Sequence, residues 1–151
     1  MNIPGYNTPL FSLKGTKVIA RVVDIVDGDT VYLVIPLFST FFKFNCRIGG
    51  IDTCEKLGDN KQFGIHATHF SYEFFTGKKG LDRKGVRLEL AEKPVLVDIE
   101  CLEFDKYGRL LVNVWRDGVS LATELINNKL AYVYNGGKKL SAEEQRVALT
   151  I

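Results

Sequence analysis

The sequence predicts an α+β fold: a small closed five-stranded Greek-key barrel of the OB type, with about three helices. Three observations lead there. Runs rich in β-branched and aromatic residues recur at short intervals, over residues 17–24, 31–37, 41–48, 95–102 and 110–115. Helical spacing of apolar residues is confined to one segment between the third and fourth runs and to the region after the fifth. Turn formers, Asp27-Gly28-Asp29 and Asp105 to Gly108, separate neighbouring runs at hairpin lengths. Five short strands leave fewest open edges by closing on themselves. An open sheet with helices on one side is the other arrangement of the same elements.

In order along the chain, a Pro/Gly/Asn-rich lead over residues 1–15 forms an N-terminal extension to a single domain over 16–151. The first three runs form a β-meander, the second joined to the third through residues 36–40. A loop over 54–61 precedes the first helix, where Phe63, Ala67, Phe70 and Phe74 recur at helical spacing. Residues 77–85 are rich in glycine and lysine and predict a loop; after them Val86, Leu88 and Leu90 alternate with Arg87 and Glu89, which predicts a short strand or hairpin arm. Two strands joined by the Asp105 to Gly108 turn follow. Leu121, Leu125 and Ile126 mark a second helix, and Ser141-Ala142-Glu143-Glu144 has the pattern of a capping box that opens a third.

Bulk properties narrow the class. With 46% hydrophobic and 25% charged residues in 151, the composition is that of a globular domain that needs no disulfide or structural metal to bury a core. The longest apolar stretches fall far short of the roughly 20 residues of a membrane span, so no membrane partner is expected. The N-terminal residues lack the basic and apolar regions of a secretory signal peptide. Three cysteines cannot all pair within one chain and show no CxxC spacing, which favours a reducing, intracellular compartment. A net charge of +2 permits a polyanionic partner without demanding one.

Three clusters carry chemistry. Asp27-Gly28-Asp29-Thr30 is by itself a turn. In Arg47-Ile48-Gly49-Gly50-Ile51-Asp52-Thr53-Cys54-Glu55, a strand residue delivers Asp52, Thr53 and Glu55 into the loop that follows. Asp105-Lys106-Tyr107-Gly108-Arg109 opens a strand with an arginine at a defined place. The three bring two Asp, one Glu and two Arg in an order that resembles the staphylococcal nuclease (thermonuclease) family, over residues 17–134 and more loosely into the C-terminal helix.

The resemblance implies roles residue by residue. Asp29 and Asp52 match the family's calcium-ligand carboxylates, and Thr53 matches the residue that adds a backbone carbonyl. Glu55 matches the carboxylate that serves as general base or orients the attacking water. Arg47 and Arg109 match the arginines on the scissile phosphate, and Lys106 and Tyr107 match residues at a terminal phosphate. Tyr132 and Tyr134 fall where the family sets aromatics against the bound nucleotide. Cys54 stands where the family usually has proline, and residues 77–93 look like an insertion. The implied activity is metal-dependent hydrolysis of phosphodiester bonds in DNA or RNA by a monomer, with Ca²⁺ as the cofactor and Mg²⁺ or Mn²⁺ as substitutes.

The residue types suit that chemistry independently. Phosphodiester hydrolysis needs a water placed in line and positive charge on the non-bridging oxygens. Arginine supplies that charge through a planar fork that holds two phosphate oxygens and stays ionised at any working pH. Hard oxygen ligands suit a hard cation, and so few charged ligands imply weak calcium affinity, about 10⁻⁴ to 10⁻³ M. Two other classes stay open: a catalytically inactive module of the same fold that binds nucleic acid or protein, and an OB-type single-strand binder, which gives no reason for the acidic cluster.

Overall fold

The computed structural model describes residues 3–150. The elements run β1 (Lys17–Asp27), β2 (Thr30–Leu37), β3 (Thr40–Ile48), β4 (Ile51–Asp52), α1 (Lys61–Thr76), α2 (Arg83–Glu92), β5 (Val95–Phe104), β6 (Leu110–Arg116), β7 (Val119–Ser120), α3 (Leu121–Asn127), β8 (Tyr132–Val133) and α4 (Ala142–Thr150). The sheet order β3-β2-β1-β5-β6-β7 is antiparallel throughout. A parallel pairing of β3 with β6, with Arg47 opposite Leu111, then closes β1, β2, β3, β5 and β6 into a barrel. The expected OB-type barrel is therefore the observed one, and the open sheet is not.

Alternation explains how the barrel fills. Val31, Leu33 and Ile35 of β2, Val97, Ile99 and Cys101 of β5, and Leu110, Val112 and Val114 of β6 all point inward at period two and are fully or nearly fully buried. On β1 the inward set is Ala20, Val22 and then Ile25, because a register shift between Val22 and Asp24 inserts one residue and moves the alternation to odd positions. The three cysteines are free and buried. Leu13, the last apolar residue of the N-terminal segment, is also buried, and the Gly15 N–H donates to the Cys101 carbonyl.

Residues 86–90, where alternation suggested a strand, lie in α2 (Arg83–Glu92), which also takes in residues 83–85 from the end of the expected loop. Val86 and Leu90, four apart, are buried, while Leu88 between them is 58% exposed. Val86 and Leu90, at i and i+4, satisfy either period, and Leu88 fits only the strand. The deciding signals are local: the Asp82 side chain accepts from the Gly85 N–H at 2.7 Å as an N-cap, and apart from Gly85 and Val86 the helix that follows is built from good helix formers, Arg, Lys, Leu, Glu and Ala. Two arginines fasten α2 to the bulge of β1. Arg83 donates to both carboxylate oxygens of Asp24, at 3.2 and 2.8 Å, and Arg87 reaches it at 3.1 Å.

Of the expected Phe63, Ala67, Phe70 and Phe74 on helix α1, Ala67 is fully buried and the three phenylalanines are half-buried against the apolar clusters at the edge of the inward face. The inward positions of α1 are Gly64, Ala67, Thr68, Ser71, Tyr72 and Phe75. Small residues there let the helix approach the barrel mouth closely. A Cβ on Gly28 would stand 2.7 Å from Ala67 Cβ, and one on Gly64 would strike the Glu55 and Cys54 carbonyls. Ser71 Oγ donates to the Gly28 carbonyl at 2.8 Å. The helix thus grips both loops that carry acidic residues.

Candidate active site

Asp29 reaches the barrel mouth because β1 and β2 meet in a tight hairpin, Asp27 paired with Thr30, with Gly28 and Asp29 as its tip. Its carbonyl accepts from the Ile48 N–H at 2.8 Å, which ties the tip to the end of β3. Its carboxylate takes the Thr30 hydroxyl at 3.1 Å and the Thr53 N–H at 3.2 Å. Burial pushes the Asp29 carboxyl up to about 6, with the Asp27 carboxylate pressing the same way and Arg47 and Thr30 pulling back.

Arg47, near the end of β3, is the hub. Its Nη2 donates to Asp52 Oδ1 at 2.8 Å and lies 3.5 Å from Asp29 Oδ2, and its guanidinium stands 5.4 Å from the centre of the Tyr134 ring. Gly50, at φ +79°, turns the chain so that Asp52 comes back onto Arg47 from β4. Asp52 is 1% exposed. Its other oxygen accepts from the Tyr132 hydroxyl, which in turn accepts from Gln145 Nε2 at 3.1 Å on α4. The ring of Tyr132 packs with Cys54 and Leu149. Burial, and then the charge on Asp52 and Glu55, pushes the Cys54 thiol up to about 11.

The remaining expected residues are placed less centrally. Glu55 is exposed. Arg109 is held within its own turn, with Nε 2.8 Å from Asp105 Oδ2 and its guanidinium 5.7 Å from the Tyr107 ring. Burial works against the Asp105 carboxylate. The Arg109 and Tyr107 N–H groups and the guanidinium outweigh it and hold that carboxyl below its usual range. A cavity of about 450 Å³ lies beside Arg47, walled by Lys106, Tyr107, Tyr134 and Lys139 among others; Arg109 is not part of that wall.

Two features depart from the sequence reading. Tyr132, expected against substrate, is 6% exposed with its hydroxyl spent on Asp52 and Gln145, so it positions a carboxylate instead of presenting a ring. Lys139 was not singled out for the acidic site, yet its Nζ lies 3.5 Å from Asp52 and 4.0 Å from Glu55. Only its place in a basic pair, Lys138-Lys139, hinted at it.

The donor set suits a hard cation. Asp29 and Asp52 bring hard carboxylate oxygens together at the barrel mouth, with Asp29 Oδ2 and Asp52 Oδ1 both turned to Arg47 Nη2. Among the described residues no group of three or more His, Cys, Asp or Glu side chains gathers as a metal centre. The carboxylates of Asp29 and Asp52 are the residues here that could hold an ion.

Comparison with known proteins gives the arrangement its relatives. A family model described as "Staphylococcal nuclease homologue" matches residues 45–149, a span that holds Arg47, Asp52, Glu55 and Arg109 and starts beyond Asp29. A thermonuclease from Staphylococcus hyicus is 31% identical over 114 residues, covering 74% of this chain and 53% of the relative. The chain thus spans about half the length of that curated relative. With the closed barrel and the Arg47-centred acidic cluster, these matches establish that the chain belongs to the staphylococcal nuclease family.

Proposed function

We propose that the protein hydrolyses phosphodiester bonds in DNA or RNA at the mouth of its barrel, acting as a single chain. The observation that carries the reading is the buried meeting of Asp29, Arg47 and Asp52, a polar constellation that a plain binding barrel has no reason to bury. Asp29, Asp52 and the Thr53 carbonyl would hold a divalent cation, Ca²⁺ first, with Mg²⁺ or Mn²⁺ as substitutes. When bound, such an ion places charge beside the phosphoryl oxygens and makes a bound water more acidic.

Arg47 uses only Nη2 in its hydrogen bonds to the protein among the described residues, which leaves Nε and Nη1 to donate to a phosphate in the adjoining cavity. Glu55 orients the attacking water and takes its proton. Arg109 joins the phosphate by exchanging Asp105 for it, one acidic partner for another, and so adds charge where it develops in the transition state. Lys106 and Tyr107 line the same cavity and suit a neighbouring phosphate, and Tyr134 presents its ring beside Arg47 for a base.

The test is cleavage of a fluorescently labelled single-stranded DNA in Ca²⁺, in Mg²⁺ or Mn²⁺, and in chelator, with Arg109→Ala protein purified identically. Cation-dependent cutting that drops by about 10²- to 10³-fold in the variant is expected. Binding without cutting in every cation would replace this reading with that of a non-catalytic binding module.

A further inference from the structure

The segment between β8 and α4 delivers Lys139 onto the acidic residues. Its Nζ lies 3.5 Å from Asp52 Oδ1 and 4.0 Å from Glu55 Oε1. Asp52 is otherwise engaged: Arg47 donates to the same Oδ1 at 2.8 Å, and the Tyr132 hydroxyl donates to Oδ2. A further cation can approach Asp52 only by displacing one of these groups or by sitting beside a like charge.

The three differ in how firmly they are held. Arg47 is 6% exposed, paired with Asp29 as well and stacked against Tyr134; Tyr132 is equally buried and pinned by Gln145. The Lys139 side chain is 52% exposed and extends from a segment that contains Gly136, at φ +86°, and Gly137. Of the groups on Asp52, Lys139 is the one free to leave. Lys139 also lines the cavity that Arg47, Lys106 and Tyr134 share.

We propose that Lys139 is an internal counter-cation of the site: its ammonium competes with a divalent cation for Asp52 and Glu55, weakens metal binding, and so sets how much ion must be present before the site fills. The proposal rests on the reading of Asp29 and Asp52 as metal-holding carboxylates. The physical basis is like-charge exclusion. A monovalent ammonium within ion-pair distance already neutralises part of the acidic charge, and an arriving divalent ion must expel it or be repelled by it.

Calorimetric titration of CaCl₂ into the full chain, without nucleic acid, tests this directly. Lys139→Met is expected to tighten calcium binding by about fivefold, the scale of one partly exposed charge pair. Lys139→Arg keeps the parent affinity, and Asp29→Asn abolishes binding. A Lys139→Met affinity equal to or weaker than the parent's, while Asp29→Asn still abolishes binding, overturns the role of Lys139 and leaves the metal reading standing. No calcium binding by either the parent or Lys139→Met overturns both. Lys139→Gln, followed by thermal denaturation without calcium, separates a structural role: a mere loop tether loses melting temperature without changing affinity.

Discussion

Arg47 and Asp52, five positions apart across a glycine turn, meet with Nη2 2.8 Å from Oδ1, and neither is more than 6% exposed. Because Asp29 shares the same guanidinium, one side chain serves two buried carboxylates.

Removing it takes away the cation that Asp29 pairs with and leaves Asp52 with the half-exposed Lys139. Arg47→Ala is expected to cost about 3–5 kcal/mol of folding stability, the scale of a broken buried pair, in addition to abolishing cleavage. Urea unfolding of parent and variant measures this. A loss below about 1 kcal/mol would mean that solvent already compensates the two carboxylates.

Tyr132→Phe deletes the hydroxyl between Asp52 and Gln145 while keeping the ring that packs on Cys54 and Leu149. A loss of about 1–3 kcal/mol is expected, since an acceptor on buried Asp52 goes unsatisfied. Cleavage should fall as well, through misplacement of Asp52 and with little change in nucleic-acid affinity, which separate measurements of kcat and KM reveal.

Gly64 faces the chain just before and at Glu55, and a Cβ there would collide with the Cys54 and Glu55 carbonyls. Gly64→Ala must therefore push that loop or α1 aside. A stability loss of about 1–3 kcal/mol is expected from the overpacking. The displaced Glu55 should lower kcat by up to about 100-fold. An alanine variant with parent-like turnover would show that Glu55 needs no fixed position.

Asp24 supplies the pH dependence. Burial raises its pKa, but hydrogen bonds from Arg83 and Arg87 prevail and hold it at about 2, against an ordinary 3.8. A carboxyl with a lowered folded pKa stabilises above its unfolded value and loses that contribution as pH falls toward the folded one. After allowance for solvent screening, Asp24→Asn is expected to cost about 1 kcal/mol at neutral pH. The deficit should shrink below about pH 4 and vanish near pH 2. Denaturation midpoints of both proteins across that range check it.

The barrel was legible because its strands announce themselves by period two, and the acidic loops because β-strands ended in Asp-Gly and Gly-Gly turns. Helix α2 is hard to read because Val86 and Leu90 fit both periods while Leu88 favours the strand, and the Asp82 cap that decides against it is a one-residue signal. At the site, residue types and order pointed to Asp29, Arg47 and Asp52, yet their pairing depends on the turn at Gly50 and on α1 pressing upon Gly28, which periodicity does not encode. Tyr132 and Lys139 were misjudged or missed for the same reason. Whether an aromatic ring faces solvent, or a loop lysine folds back onto an acid, depends on where β8 lands, and β8 is a two-residue bridge to β4.

The parallel seam between β3 and β6 has a consequence for when the site comes into being. Asp29 sits in a local hairpin that forms quickly, but Arg47 lies in the seam itself, which joins segments separated by two helices and two strands. Closing so long a loop costs entropy before any contact returns it, so the seam is a late event in folding. A nascent or half-opened chain therefore carries the acids without their arginine aligned. Amide exchange at residues 46–48 would report, in one measurement, both the last step of folding and the arming of the site.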